Sequence, residues 1–233
     1  MKKVFLLALL AVGMTANAET FVANDNEGAE INDGGIKLDD DSNWKMHFYV
    51  GIDIPTGAPD GVDFAPFRSW EIGATVAQYE YTLKNSKTTL CAGIGVDWRN
   101  YTLSGHDKMF AKVNDIVGVY DRKGDMSELA SRISTCSLSL PLMVKQSFNK
   151  DFAISLGAQL NWNFYSRVNN YYEENDNEID IQTKKIGERP ITIDVLGMLH
   201  FGDFAVYCKY SPMSVLKKDK GPDFKSLAVG FYF

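Results

Sequence analysis

The stretch Phe152-Ala-Ile-Ser-Leu-Gly-Ala-Gln-Leu-Asn-Trp-Asn-Phe-Tyr-Ser-Arg167 alternates with a period of two. In an extended chain successive side chains point to opposite faces, so this segment reads as one long strand with two unlike sides. Phe152, Ile154, Leu156, Ala158, Leu160, Trp162 and Phe164 make one side a hydrocarbon strip. Ala153, Ser155, Gly157, Gln159, Asn161, Asn163, Tyr165 and Arg167 make the other small and polar. The fold turns on which side faces the interior.

The preceding strand, about 131–147, repeats the pattern, with Leu138, Leu140, Leu142 and Val144 against Ser137, Ser139, Pro141, Met143 and Lys145. Further out, strands fall at about 44–54, 68–83, 88–103, 190–201, 204–213 and 224–233, so that eight strands run from Trp44 to the end. In the second of these the phase slips after Val76, leaving Gln78 and Glu80 on the apolar side, and a β-bulge there restores it. The connections alternate: 55–67, 104–130 and 168–189 are long and 214–223 is medium, while 84–87, 148–151 and 202–203 are short. This is an antiparallel meander with unlike ends, the asymmetry of an up-and-down outer-membrane β-barrel.

Composition narrows the class. Residues 1–18 carry Lys2 and Lys3, an apolar run from Val4 to Val12 and Ala16-Asn17-Ala18, the layout of a secretory signal. Beyond it nothing approaches the ~18 uninterrupted apolar residues of a membrane helix, so any spanning structure is built from strands. Removing Lys2 and Lys3 leaves 22 basic against 30 acidic residues, a net charge of −8. Residues 19–43 hold eight of those acids and one base, Lys37, and read as an acidic, flexible leader. The body, 44–233, is near neutral and carries no nucleic-acid footprint. Cys91, Cys136 and Cys208 lie in strands, are odd in number and lack metal-ligand spacing, so no disulfide framework, metal site or cofactor is expected.

The facing follows from volume and from the aromatics. A soluble eight-stranded barrel or sandwich turns its apolar side inward, and here each strand would place five or six large side chains in a lumen just wide enough for side chains. The glycines and small polar residues fit that lumen better. Trp70, Trp98 and Trp162 gather near the long-loop end of the apolar face, and Trp44, Phe152, Phe201, Phe204, Phe231 and Phe233 near the short-turn end. Two aromatic girdles flanking an aliphatic band are what a bilayer selects. The expectation is an all-β, eight-stranded antiparallel transmembrane barrel with both termini periplasmic.

The signal segment, the strands, Ser139-Leu-Pro-Leu-Met-Val-Lys145 leading to a short turn, and the terminal Phe231-Tyr-Phe233 resemble the outer-membrane β-barrel domain, often called porin-family, of Bacteroidetes. The chain is similar in architecture to the small OmpA- and OmpX-type barrels. The resemblance covers about residues 44–233 and implies outer-membrane lipid and the barrel-assembly machinery as partners. It places Val229, Phe231 and Phe233 at the apolar positions of the terminal assembly signal, with Ala228 where a glycine is often found. It implies no substrate.

The polar face carries Asp53, Glu71, Asp97, Arg99, Arg167 and Asp194 toward the long-loop half, Lys209 near the middle and Lys145 near the short turns. In a narrow lumen such charges must be paired and hydrogen-bonded, which predicts a salt-bridge network filling the barrel. A narrow gated channel, in which Arg99 or Arg167 exchanges carboxylate partners, is the alternative. Some small barrels act on lipid A with Ser/His chemistry, and Ser104, His106 and Asp107 lie together in a loop; adjacency does not make a triad, and no enzyme is expected. The long loops 104–130 and 168–189 are where an extracellular ligand would bind.

Overall fold

The computed structural model describes residues 44–105, 107–121, 130–174 and 177–233. The signal segment 1–18, the leader 19–43 and His106 lie outside the described residues. The strands are β1 (Trp44–Thr56), β2 (Trp70–Thr82), β3 (Thr88–Thr102), β4 (Lys108–Val113), β5 (Ile116–Asp121), β6 (Ala130–Ser147), β7 (Phe152–Glu174), β8 (Asn177–Lys184), β9 (Ile191–Phe201), β10 (Phe204–Ser211) and β11 (Lys225–Tyr232), with a 3-10 turn at Pro66–Arg68.

Eight of them close a barrel. Each of β1, β2, β3, β6, β7, β9, β10 and β11 pairs antiparallel with the next, and β11 returns to β1 through Tyr49↔Tyr232 to Thr56↔Lys225. Closure gives each of these eight strands a partner on both sides in the barrel wall. The wall has the facing expected from its alternation: Leu156 is 65% exposed and its neighbour Ser155 buried at 1%. Along the short-turn end Phe148, Phe152, Phe201, Phe204, Phe231 and Phe233 form a continuous row on the outer wall, with successive centroids 5.6 to 6.5 Å apart.

Two bulges set the phase. The β2–β3 register shifts between Thr75 and Ala77, which returns Gln78 to the lumen and Tyr79 and Tyr81 to the outer wall. The β6–β7 register shifts beside Cys136, where Tyr165 pairs with Cys136 and Asn163 with Ser137, so Phe164 is the extra residue. This second bulge inverts β7 above it: Val168 is fully buried inward and Arg167 turns outward. The placement of Tyr165 and Arg167 on the lumen face by simple alternation is therefore corrected, because one inserted residue moves every later side chain to the other face.

Described parts of the two longest connections form strands. The 104–130 connection contains the hairpin β4–β5, turning through Asn114 and Asp115 with φ of 49° and 64°. Asn and Asp tolerate that left-handed region better than other non-glycine residues, which suits a two-residue turn. The 168–189 connection continues β7 to Glu174 and returns as β8. At about 3.3 Å per residue the 23 residues of β7 span roughly 75 Å, well beyond the ~10 residues a tilted transmembrane strand needs.

These connections close over the long-loop mouth in a second core. Tyr101, Leu103, Phe110, Val117, Ile133, Val168, Ile186, Val215, Leu216 and Phe224 pack together, with Phe64 against them. Val117 N donates to Lys220 O (2.8 Å), Lys217 N to Gly187 O (2.8 Å), and Val215 N to Phe224 O (3.1 Å). Residues scattered through four connections thus make one apolar cap.

Candidate functional site: the lumen network

Inward-facing residues of seven strands converge at mid-barrel. Arg99, from β3, is the hub. Its Nη2 lies 2.8 Å from Asp97 Oδ2 and 2.5 Å from Asp194 Oδ2, its Nε lies 3.3 Å from Glu71 Oε2, and its Nη1 donates to Ser211 Oγ at 3.1 Å. Lys209, from β10, is the second cation, 2.9 Å from Glu71 Oε2 and 2.8 Å from Asp97 Oδ2, with its ammonium 4.7 Å from the Tyr49 ring centroid. Tyr207 donates to Glu71 Oε1 (2.5 Å), Asn161 to Asp194 Oδ2 (2.8 Å), and Gln159 to Asp97 Oδ2 (3.3 Å). Ser211 also donates to Asp194 Oδ1. Asp53, from β1, stands aside from the ion pairs: its Oδ1 accepts from Ser226 Oγ (2.6 Å), and its Oδ2 has no hydrogen-bond partner.

This arrangement follows from size. Gly51 and Gly73 leave gaps in the inner wall, and the Tyr207 and Tyr49 rings occupy the space where a Cβ on those glycines would stand. Small residues on one strand thereby admit large polar ones from across the lumen. Asp53, Glu71, Asp97 and Asp194 are fully buried, Lys209 is 2% exposed and Arg99 7%. The lumen cavity bounded by Tyr49, Thr75, Gln159, Tyr207, Lys209 and Tyr232 is about 10 Å³, room for about one water.

Of the charged residues read as luminal, six come together: Asp53, Glu71, Asp97, Arg99, Asp194 and Lys209. Lys145 does not join them; it lies half-buried toward the short-turn end, where Lys45 pairs with Glu80 at 2.6 Å. His47 and His200 are also at that end, with His47 Nδ1 3.2 Å from Phe233 O and His200 Nε2 2.7 Å from Ser155 Oγ. Arg167 lies on the outer wall. Tyr207, Asn161 and Ser211, uncharged and so outside the charge pattern, complete the network; their signal in the sequence is a place on the polar face of neighbouring strands.

Among the described residues no cluster of His, Cys, Asp and Glu could hold a metal ion. Ser104 precedes Gly105, whose φ of 88° marks a turn, and Asp107 stands two residues beyond it. On the cap, Lys112 and Lys220 bracket Asp115 at 2.7 and 2.5 Å, and their hydrogen bonds hold its carboxyl down at about 2.

A closed eight-stranded barrel with an apolar wall and an ion-paired interior defines the class. No family model and no curated protein matches the chain. Among solved structures it is similar to Ail, the attachment invasion locus protein of Yersinia pestis, at 10% identity over 82% of this chain and 97% of that one, with a TM-score of 0.35. The structure of Ail in complex with the heparin analogue sucrose octasulfate is similar at 11% identity, with the same coverage and a TM-score of 0.33.

Proposed function

We propose that the protein is a small outer-membrane barrel with a structural or surface-interaction role and no conducting path. The observation that carries this is the ion-pair network across the lumen. Two cations are shared among carboxylates from three strands, the cavity beside them holds about one water, and an apolar cap lies over the mouth. The membrane reading rests on the outer wall, where Leu142, Leu156, Trp162 and Val195 are all more than half exposed. In water such a continuous apolar band would be an aggregation surface, whereas lipid matches it.

In this reading the short-turn end and both ends of the barrel chain are periplasmic, and the porin-family resemblance gives Val229, Phe231 and Phe233 to the assembly machinery. The cap presents β4–β5 and β7–β8 as the surface at which an extracellular ligand would dock. Single-channel recording in planar bilayers tests the plug. Wild type and Arg99→Ala should both remain silent. Steps in wild type would return the gated-channel alternative, with Arg99 as its gate.

A further inference from the structure

The outer wall of β3, β6 and β7 changes character above the upper aromatic belt. Below it the wall is Val96, Leu138 and Leu160; above it stand Asn100, Ser134, Asn169, Arg132 and Arg167, registered as Asn100↔Ser134, Ser134↔Arg167 and Arg132↔Asn169. The Arg167 guanidinium lies 5.7 Å from the Trp98 ring centroid and 5.9 Å from that of Tyr165, which fixes it on the outside of the barrel. Its Nη1 donates to Gln182 Oε1 at 3.0 Å, whereas its Nε is buried without an acceptor. Beneath it Ser134 Oγ donates to Asn100 Oδ1 at 2.6 Å, and Asn100 Nδ2 and Asn169 Oδ1 are likewise buried without partners.

Arg68 borders the same wall: its carbonyl accepts from Thr102 Oγ1 at 2.8 Å, and Thr102 pairs with Arg132; the positive charges of Arg167 and the exposed Arg68 oppose that of Arg132, and Asp180 is the acid that favours it. None of the three arginines forms an ion pair among the described residues, while Arg99 in the lumen meets three carboxylates. Like charges this close on a half-dry wall are unfavourable unless an anion from outside the chain joins them. A guanidinium fork matches phosphate oxygens with two parallel hydrogen bonds. The tryptophan and tyrosine belt marks the membrane interface, so the trio stands at headgroup height.

We infer that Arg68, Arg132 and Arg167 form a lateral seat for the phosphate-bearing headgroup of an outer-leaflet lipid. Trp98 and Tyr165 below it would pack the apolar part of the same lipid. This inference rests on the membrane reading above.

The full chain is inserted into phosphatidylcholine vesicles with and without phosphatidic acid, whose headgroup is a bare phosphate. Insertion is scored by heat-shifted gel migration, and retained lipid by native mass spectrometry after detergent extraction. Wild type should retain phosphatidic acid over phosphatidylcholine, and Arg132→Gln or Arg68→Gln should each reduce that retention about tenfold, as expected for loss of one charge-assisted hydrogen bond. Arg167→Lys, which keeps the charge without the fork, should fall between. Lys217→Gln with Lys218→Gln, on the loops, should leave retention unchanged.

Equal retention of the two lipids by wild type, an equal loss from the loop-lysine variant, or displacement of the lipid by inorganic phosphate would each overturn the headgroup seat. Failure to insert sinks the membrane reading and this inference together. Insertion without preference sinks the inference alone.

Discussion

The lumen at mid-barrel and the cap above it are both fully buried, yet they are built on opposite rules. The lumen at that level carries Arg99, Lys209, Glu71, Asp97 and Asp194, tied by ion pairs of 2.5 to 3.3 Å, and the wall around it is apolar. The cap is filled by Phe110, Val117, Ile133, Leu216 and Phe224, and carries Lys112, Asp115 and Lys220 on its surface. Each region buries what its surroundings reject. On the membrane reading proposed above, lipid around the wall would take the aliphatic side chains and leave the polar ones inside, and water around the loops would reverse the choice.

Strand β7 passes from one rule to the other within itself. Below Phe164 it turns Leu156, Leu160 and Trp162 outward and Ser155, Gln159 and Asn161 inward. Above Phe164 it turns Val168 and Tyr172 inward and Arg167 outward. A single bulge lets one strand change its apolar face without leaving its neighbour β6.

The largest expected effect comes from breaking the lumen. Arg99→Ala removes the cation shared by Asp97, Asp194 and Glu71; Lys209 still meets Asp97 and Glu71, but the buried Asp194 loses its ion pair, a loss of about 3–5 kcal/mol. Urea titration of the vesicle-inserted protein, followed by heat-shifted migration, measures it. A loss below about 1 kcal/mol would mean that water reaches the network and that the lumen is not dry. Asp53, which has no ion pair, supplies the internal contrast, and Asp53→Asn should cost much less.

A smaller and more local effect is expected in the cap. Phe224 is fully buried, with ring centroids 4.6 Å from Phe64 and 5.1 Å from Tyr101. Truncating such a side chain costs about 3–5 kcal/mol where the whole structure depends on it. In a cap that can open by itself only the local equilibrium feels that cost. Phe224→Ala should therefore expose 104–130 to limited proteolysis while the barrel's urea midpoint stays near wild type. A joint fall of both would show that cap and barrel unfold as one unit.

The contrast also explains what the sequence discloses. The barrel was legible because its signals are local: alternation within a strand, the length of each connection, and the phase slip at Val76 that marks the first bulge. The bulge at Phe164 was not, because Tyr165, Ser166 and Arg167 suit either face; an arginine can end in a salt bridge or lie across tryptophan at a membrane interface. The charged lumen residues could be named but not paired, since each ion pair joins strands far apart in the chain. The cap was hidden for the same reason. Phe64, Phe110, Ile186, Leu216 and Phe224 sit singly in polar connections, and only their meeting makes them a core. Lys112-Val-Asn-Asp-Ile116, a left-handed-tolerant pair between apolar residues, was the available signal for β4–β5.

The smallest effect is expected on the wet side of the cap and separates its charges from those of the lumen. Asp115 bridges Lys112 and Lys220 in full contact with water, and those bonds hold its carboxyl at about 2, below the ordinary value of about 4. A depressed carboxyl contributes stability that is present above the ordinary value and is lost as pH falls through about 2. The β4–β5 tip should therefore keep its tie to the 214–223 connection at pH 4 and loosen between about pH 4 and 2, as read by carboxyl NMR shifts of Asp115. Salt screens exposed charges, so raising ionic strength should weaken this clamp while leaving the Arg99 contacts unchanged. Equal salt sensitivity at both places would break the division between a wet surface and a dry lumen.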